Sequence, residues 1–411
     1  MEISEERLRR WREDTPGCAG RIHHLVHLNN AGAALMPRPV LDAIRGHLDL
    51  EAEIGGYEAE DAAAGPLREA YVHVARLLGA PRVENIAIVE NATVAVSQAL
   101  SAFDFHPGDV LVTTHNDYTS NQIMYLSLAQ RFGLEVRRAD DLPEGGVDPD
   151  SVRKLAAHPR CRLVSLTWVP TNSGLVQAAE EVGEICEAAG VPYLVDACQA
   201  VGQLPVDVAR LGCDFLAGTA RKFLRGPRGI GFLYVSDRAL ERGMGPLFPD
   251  MHGAGLLSEE RFELAAGARR FENWEFPFAL VLGLGAAACY ALEEGLGAGS
   301  PRSIELGAQV RERIAGLPGM KVADVGARVC AIVTAEAHGW DGRDLVQALR
   351  RAGVNTSAAN RGGGPLLKLG EEKRPLLRIS PHYYNTQDEI DRFLGALEEV
   401  LRRGPGEAVH A

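Results

Sequence analysis

The sequence predicts an α/β fold: a large domain on a mostly parallel, seven-stranded sheet, with a smaller α+β part at the C-terminus. Two observations carry this reading. From residue 82, short apolar runs alternate with helical stretches, at 86–89, 110–113, 134–137, 163–168, 193–195, 215–217 and 231–235. Repeated βα units of this kind imply a parallel sheet covered on both faces. At 411 residues the chain also exceeds one ordinary core. Two domains are therefore expected, with 27–285 as the large one and 1–26 plus 286–411 as the small one.

Taken in order, residues 1–26 read as a helical lead-in and a loop, and 27–32 as a short strand running into small residues. Pro37 and Pro39 sit where a helix opens, and Val40, Ile44 and Leu48 recur at helical spacing. A second amphipathic helix covers 66–78, with Leu67, Tyr71, Val74 and Leu78 on one stripe. Between strands, 178–189 carries Val182 and Ile185 and stops at Gly190, a residue suited to a left-handed cap. The apolar run 278–292 falls short of a membrane span and ends in two glutamates, so a core helix is expected and no membrane partner. Beyond it come a strand near 331–334 that is expected to hold Cys330, a helix at 341–351 and a strand at 376–379. Thr386 and Glu389 form a capping box, and Ile390, Phe393, Leu394, Leu397 and Leu401 follow as one stripe. The tail after Arg403 is expected to fray.

Composition narrows the function. A net charge of −12 argues against a nucleic-acid partner, which needs a basic face. The seven cysteines are scattered singly, without CxxC or metal-ligand spacing, which reads as a reduced, cytoplasmic chain with no metal site. The opening MEISEERLRRWRED has no apolar core of a signal peptide.

The strand at 193–195 ends on Asp196, and Lys222 sits in a polar turn, Thr219-Ala220-Arg221-Lys222, after the next strand. Ligands of such sheets bind beyond the carboxyl ends of the strands. An acid that keeps a pyridinium nitrogen protonated, paired with a lysine that forms a Schiff base, suits pyridoxal 5′-phosphate (PLP). Glu90-Asn91-Ala92-Thr93 joins the first strand to a helix whose N-terminus favours phosphate, although Asn and Thr are also ordinary caps. Most lysines are solvated, and Arg221, Arg225 and Arg228 would equally make a basic surface loop. A buried lysine beside cations is instead a better nucleophile, because both influences lower its pKa. Thr219 and Arg221 are candidates for the same phosphate. The run Gly226 to Gly231, GPRGIG, precedes a strand rather than joining strand to helix, so it lacks the geometry of a dinucleotide loop.

Asp196-Ala197-Cys198-Gln199, Asp214-Phe215, Thr219-Ala220-Arg221-Lys222 and Gly226-Pro227-Arg228-Gly229-Ile230-Gly231-Phe232-Leu233-Tyr234 together resemble the lysine segment of class V aminotransferase-type PLP enzymes, which include the cysteine desulfurases. Weaker similarity extends from about Leu28 to Leu401. The resemblance implies PLP fold type I, with Lys222 carrying the Schiff base and moving protons. It implies Asp196 on the pyridine nitrogen and Gln199 on the ring's phenolic oxygen. Asn91, Ala92, Thr93, Thr219 and Arg221 would serve the phosphate. Tyr118 takes the place of the ring-stacking histidine, and Thr171 that of an asparagine near the ring oxygen. Arg378, in Leu377-Arg378-Ile379-Ser380-Pro381, would grip a substrate carboxylate as a fork. Asn30, Ala31, Gly32 and Asn172 would line the substrate's side. A homodimer with sites at the subunit interface is also implied.

Four departures shape the expected reaction. Desulfurases carry a mobile cysteine in the segment before that arginine, and here 354–364 reads VNTSAANRGGG. Cys198 replaces a small alanine under the ring and reads as an apolar spacer. Arg221 replaces the histidine before the lysine. Glu275 stands where many relatives have a threonine that reaches the partner subunit's phosphate, a contact that Glu275 cannot donate. The chain most resembles the branch holding the C–S lyases of ergothioneine biosynthesis and isopenicillin-N-epimerase-like proteins. The expected activity is β-elimination on a cysteine-derived amino acid, with transamination or epimerisation at the same site as alternatives. Substrate side-chain recognition is expected from loops around 55–64, 251–257 and 361–367, with Arg361 as a possible second anion contact.

Overall fold

The protein is described by a computed structural model that covers residues 3–19, 25–360 and 375–408. Arg361 and the rest of the loop at 361–367 lie outside the described residues.

The large sheet has seven strands: β1 (Ile86–Val89), β2 (Val110–Thr113), β3 (Glu135–Arg138), β4 (Cys161–Thr167), β5 (Tyr193–Asp196), β6 (Phe215–Thr219) and β7 (Gly231–Val235), in the order β1-β7-β6-β5-β4-β2-β3. All run parallel except β7, which is antiparallel to both neighbours. The reversal follows from chain length. A parallel return needs a crossover, usually a helix, whereas β6 is joined to β7 by the compact turn that holds Lys222. That turn therefore stays at the carboxyl end of β6. Register places Thr167 opposite Asp196 and Asp196 opposite Ala217, so β4, β5 and β6 finish at one level. β5, β6 and β7 are buried along their whole length, as expected of strands covered on both faces.

Helices Arg38–Ile54, Ala64–Leu78 and Phe278–Tyr290 pack together over one face. The last winds on through a π-type stretch, Ala291–Gly299, into Ser300–Ala315. By length and composition this continuous helix holds one window apolar enough to cross a bilayer, but 56% of that window is buried inside the protein. Val281, Leu284, Ala287 and Ala288 belong to the main core. The stripe expected on Arg38–Ile54 holds at Val40, which is fully buried, and breaks at Leu48, which is 51% exposed. Residues 55–64, expected as a loop, are largely helical (Gly56–Ala62 and the start of Ala64–Leu78). A hairpin of Ala254–Ser258 with Arg261–Leu264 was not expected, since its strands are mostly exposed and carry no burial pattern to read.

A second core gathers Val26, Leu28, Leu306, Val333, Leu345, Leu377, Ile390 and Phe393 around a four-stranded antiparallel sheet, ordered Met320–Val322, Val333–Ala337, Leu376–Ile379, Ser357–Ala359. Val26–His27 pairs in parallel with Val354–Asn355, which ties the lead-in to this unit. Cys330 lies before Val333–Ala337 rather than in it, because its backbone N–H is spent on Gly174 O at 2.7 Å. The capping box is formed as expected: Glu389 N–H donates to Thr386 Oγ1, and Glu389 Oε2 accepts from Thr386 N–H, both at 3.1 Å. The helix it opens, Gln387–Ala408, bends at Gly404, whose φ is 78°.

Candidate active site

The carboxyl ends of β1, β4, β5 and β6 surround a cavity of about 420 Å³. Its wall brings together Asn91, Ala92, Thr93, Tyr118, Thr171, Asp196, Cys198, Gln199, Thr219, Arg221 and Lys222, all singled out by the sequence. Among the described residues, Asn30, Ala31, Gly32, Asn172 and Arg378 are not part of that wall. Asn30, Ala31, Gly32 and Arg378 nevertheless adjoin it. Gln199 Nε2 donates to Ala31 O at 3.0 Å and to Thr171 Oγ1 at 3.1 Å, and Arg221 donates to Gly32 O. Arg378 Nη1 donates to Thr171 O and Oγ1 at 2.8 and 2.7 Å. Asn30 is turned away from the cavity, its side chain held by Ser380 O and the Tyr384 hydroxyl.

Lys222 is buried, and burial lowers its pKa; Arg221 and Arg378 push the same way, while Cys198 and Asp196 oppose them. Asp196 receives the Cys198 N–H on Oδ1 and Asn121 Nδ2 on Oδ2, both at 3.0 Å. These bonds orient it. Burial, reinforced by Arg221, lowers Arg378 to about 10. The remaining Arg378 nitrogens reach Ser357 Oγ at 2.9 Å and, more loosely, Asn29 Oδ1 at 3.4 Å.

Three expectations change in detail. Asn91 acts as an N-cap: its Oδ1 accepts from Val94 N–H at 3.0 Å, so its side chain is committed to the helix Ala92–Ser101. Arg225 is not part of a basic surface loop. It is fully buried at φ 62°, donates to Leu35 O, Tyr383 Oη and Thr15 Oγ1 at 2.9, 2.7 and 2.6 Å, and lies 4.5 Å over the Tyr384 ring. These bonds pin the turn that carries Lys222 to both chain ends. Arg228 does remain exposed. Gln199, thirdly, presents an acceptor: with Nε2 engaged, its Oε1 is buried without a partner.

The sequence reading missed Asn121, Thr167, Val169 and Gly229 in the wall, and Asp117 behind it. Asp117 and Asn121 flank Tyr118 in the sequence, but their role depends on which neighbours β2 and β4 bring to them.

A family model described as "Aminotransferase class-V" matches residues 26–393. The chain belongs to the class V aminotransferase family. It is thus a PLP-dependent enzyme with fold type I architecture. A probable cysteine desulfurase of Methanothermobacter thermautotrophicus is 30% identical over 391 residues, spanning 92% of this chain and 95% of that one. A probable hercynylcysteine sulfoxide lyase of Mycobacterium tuberculosis is 31% identical over 404 residues, spanning 97% and 94%. The solved apo cysteine desulfurase of Thermococcus onnurineus superposes with a TM-score of 0.84 at 24% identity, covering 98% of this chain and 99% of that one.

The residues present fit PLP. The cavity offers a buried amine, a buried carboxylate with acceptor capacity left, an unpaired Gln199 Oε1, and a helix N-terminus beside Thr93 and Arg221. Gly231, at the start of β7, lets that helix approach: a Cβ there would stand 2.6 Å from Gly218 O and 3.0 Å from Ala92 N. Backbone cannot give way as a flexible side chain can. Gly231→Ala is therefore expected to displace the 91–93 segment at a cost of about 1–3 kcal/mol. Its PLP affinity should fall about tenfold, read by absorbance titration, with helix content by circular dichroism unchanged. Wild-type affinity in this variant would show that the segment does not hold the phosphate.

Proposed function

We propose that this chain is a β-eliminating C–S lyase acting on a cysteine-derived amino acid, without a persulfide-forming cysteine. The observation that carries the reading is the segment 354–364, VNTSAANRGGG, which has no thiol on the approach to Arg378. The other cysteines nearby suit nucleophilic work poorly, since a reactive thiol needs a lowered pKa. Cys330 is fully buried and pushed up to about 12, and Cys198 in the cavity wall is pushed up by burial and by Asp196. The similarity to a relative named as a hercynylcysteine sulfoxide lyase supports the same reading.

PLP, when bound, supplies the electron sink that eases loss of the α-proton. The chain's residues do the rest. Lys222 Nζ takes that proton, for which its lowered pKa provides the neutral amine. Asp196 would accept from the ring nitrogen, Thr93, Thr219 and Arg221 would hold the phosphate, and Tyr118 would stand beside the ring. Arg378 exchanges its long contact to Asn29 for the substrate carboxylate, keeping Thr171 as an anchor. The sulfur group would leave with the electrons of the C–S bond and take up the proton held by Lys222, whose amine would then displace the product enamine, and water would hydrolyse that enamine to pyruvate and ammonia.

A panel of S-substituted cysteines offered to the PLP-loaded protein should yield pyruvate and ammonia in equal amounts. Lys222→Ala should lower the rate by about 10²–10⁴-fold. Amino transfer that requires an oxo-acid, or α-deuteration without loss of substrate, would instead identify a transaminase or an epimerase.

We also propose a homodimer. Supporting it, Leu48, Tyr57, Met251 and Trp274 are exposed large apolar side chains, and Leu48, Tyr57 and Trp274 border a second cavity of about 580 Å³ beside Glu275. Light scattering should give about twice the chain's 44.2 kDa. A monomer at micromolar concentration would contradict the assembly.

A further inference from the structure

Behind Asp196 lies a second buried carboxylate, Asp117, for which the roles above have no use. It follows β2 and is enclosed by β2, β4 and the first turn of the helix Thr119–Phe132. Its Oδ2 accepts from Thr113 Oγ1 at 2.6 Å. Its Oδ1 accepts from Thr167 Oγ1 at 2.5 Å, Tyr118 N–H at 2.6 Å and Asn121 Nδ2 at 3.1 Å. The same Asn121 nitrogen donates to Asp196 Oδ2 at 3.0 Å. One amide thus spans two buried carboxylates.

This geometry has a polarity. Two of the four partners, Tyr118 N–H and Asn121 Nδ2, can only donate, so Asp117 Oδ1 presents lone pairs to both, as a carboxylate oxygen does, while the threonine hydroxyls can turn to suit. Burial, with the charge of Asp196, leaves the Asp117 pKa raised, and the bonds from Thr113, Thr167 and Asn121 oppose that rise in favour of the carboxylate. An amide can present either its nitrogen or its oxygen. With Asp117 ionised, Asn121 must turn its nitrogen toward both acids; without that charge, its oxygen could face Asp196 and repel it.

We propose that Asp117 is a positioning residue of the cofactor site, which fixes the Asn121 amide toward Asp196 and sets a second negative charge behind it, favouring positive charge on the group that Asp196 holds. This rests on the reading of the cavity as a PLP site. The same acid fixes the Tyr118 backbone, so one buried charge orients both the residue beneath the ring nitrogen and the residue over the ring face. The charged and titratable groups around the pair are Cys198, Lys222, Arg221 and Arg378 on the cavity side, and Tyr125 behind. The two arginines disfavour a protonated lysine–cofactor linkage, and Asp196 and Asp117 favour it. Removing the Asp117 charge must therefore move the midpoint of that titration down.

The test compares PLP-loaded wild type, Asp117→Asn and Asp117→Glu by visible absorbance against pH. In Asp117→Asn the midpoint of the visible band should fall by about one pH unit, equivalent to a tenfold change in proton affinity. The Kd for PLP should rise about tenfold, as for other groups that orient a ligand-binding residue. Asp117→Glu, which keeps the charge, should restore the midpoint. A merely structural role would lower Tm in both variants and leave the midpoint in place. A folded Asp117→Asn with wild-type midpoint and affinity would overturn the proposal alone. If Asp117→Asn does not fold, Asn121→Ala, which leaves Asp117 three donors, must show the weakened PLP binding, and unchanged binding there overturns it equally. A wild type that binds no PLP would overturn the cofactor reading itself, and this proposal with it.

Discussion

Everything at the candidate site depends on one reversal of direction. Because β7 runs antiparallel to β6, the turn between them stays at the carboxyl end of the sheet, where Asp196 ends β5 and Thr167 ends β4. Had the chain crossed over to a parallel strand, the segment after Lys222 would have left that end along a helix-bound connection, and the turn would not close back onto β7 there. The turn is then held from outside. The buried Arg225, anchored to Thr15, Leu35 and Tyr383, leaves it little freedom to swing.

Around that turn the electrostatics are built from opposed pairs. Lys222 is deprived of solvent and faces two arginines, which favours its neutral form; Asp196 opposes them, and Asn121 links it to Asp117 behind. Thr171 links the two halves of the site, since it accepts from Gln199 of the large sheet's side and from Arg378 of the small sheet. A shift of the small sheet would therefore be felt at Gln199. The Asp324–Arg311 pair fastens the same turn, with Asp324 Oδ1 accepting from Gly174 N–H at 2.8 Å and Oδ2 from Arg311 Nε at 2.7 Å.

Much of this was legible in the chain, for identifiable reasons. The seven strands could be read to within two residues at each end, because most of them are buried, largely apolar runs bounded by polar turns; the half-exposed edge strand β3, EVRR, is the exception. Asp196, Lys222 and the 91–93 segment could be read because they sit at strand ends, where chain order and spatial order coincide. The capping box at Thr386 is a local pattern and formed as written. What stayed hidden depends on contacts between distant segments. Arg225 looks like its neighbours Arg221 and Arg228, and only the tyrosines at 383 and 384 reveal it as buried. Asp117 could be read as one of a polar run, but not as the acid that shares an amide with Asp196, 79 residues on. Leu48 satisfied helical periodicity yet is exposed, since periodicity cannot say whether a stripe meets this chain or a partner.

Among the amines of the described residues, Lys222 is the one buried in the wall of the candidate site. The most direct measurement is to load the protein with PLP, reduce with borohydride, digest and map the modified peptide. The account predicts a single phosphopyridoxyl label, on Lys222. A label on another lysine, or none while PLP binds, would contradict it.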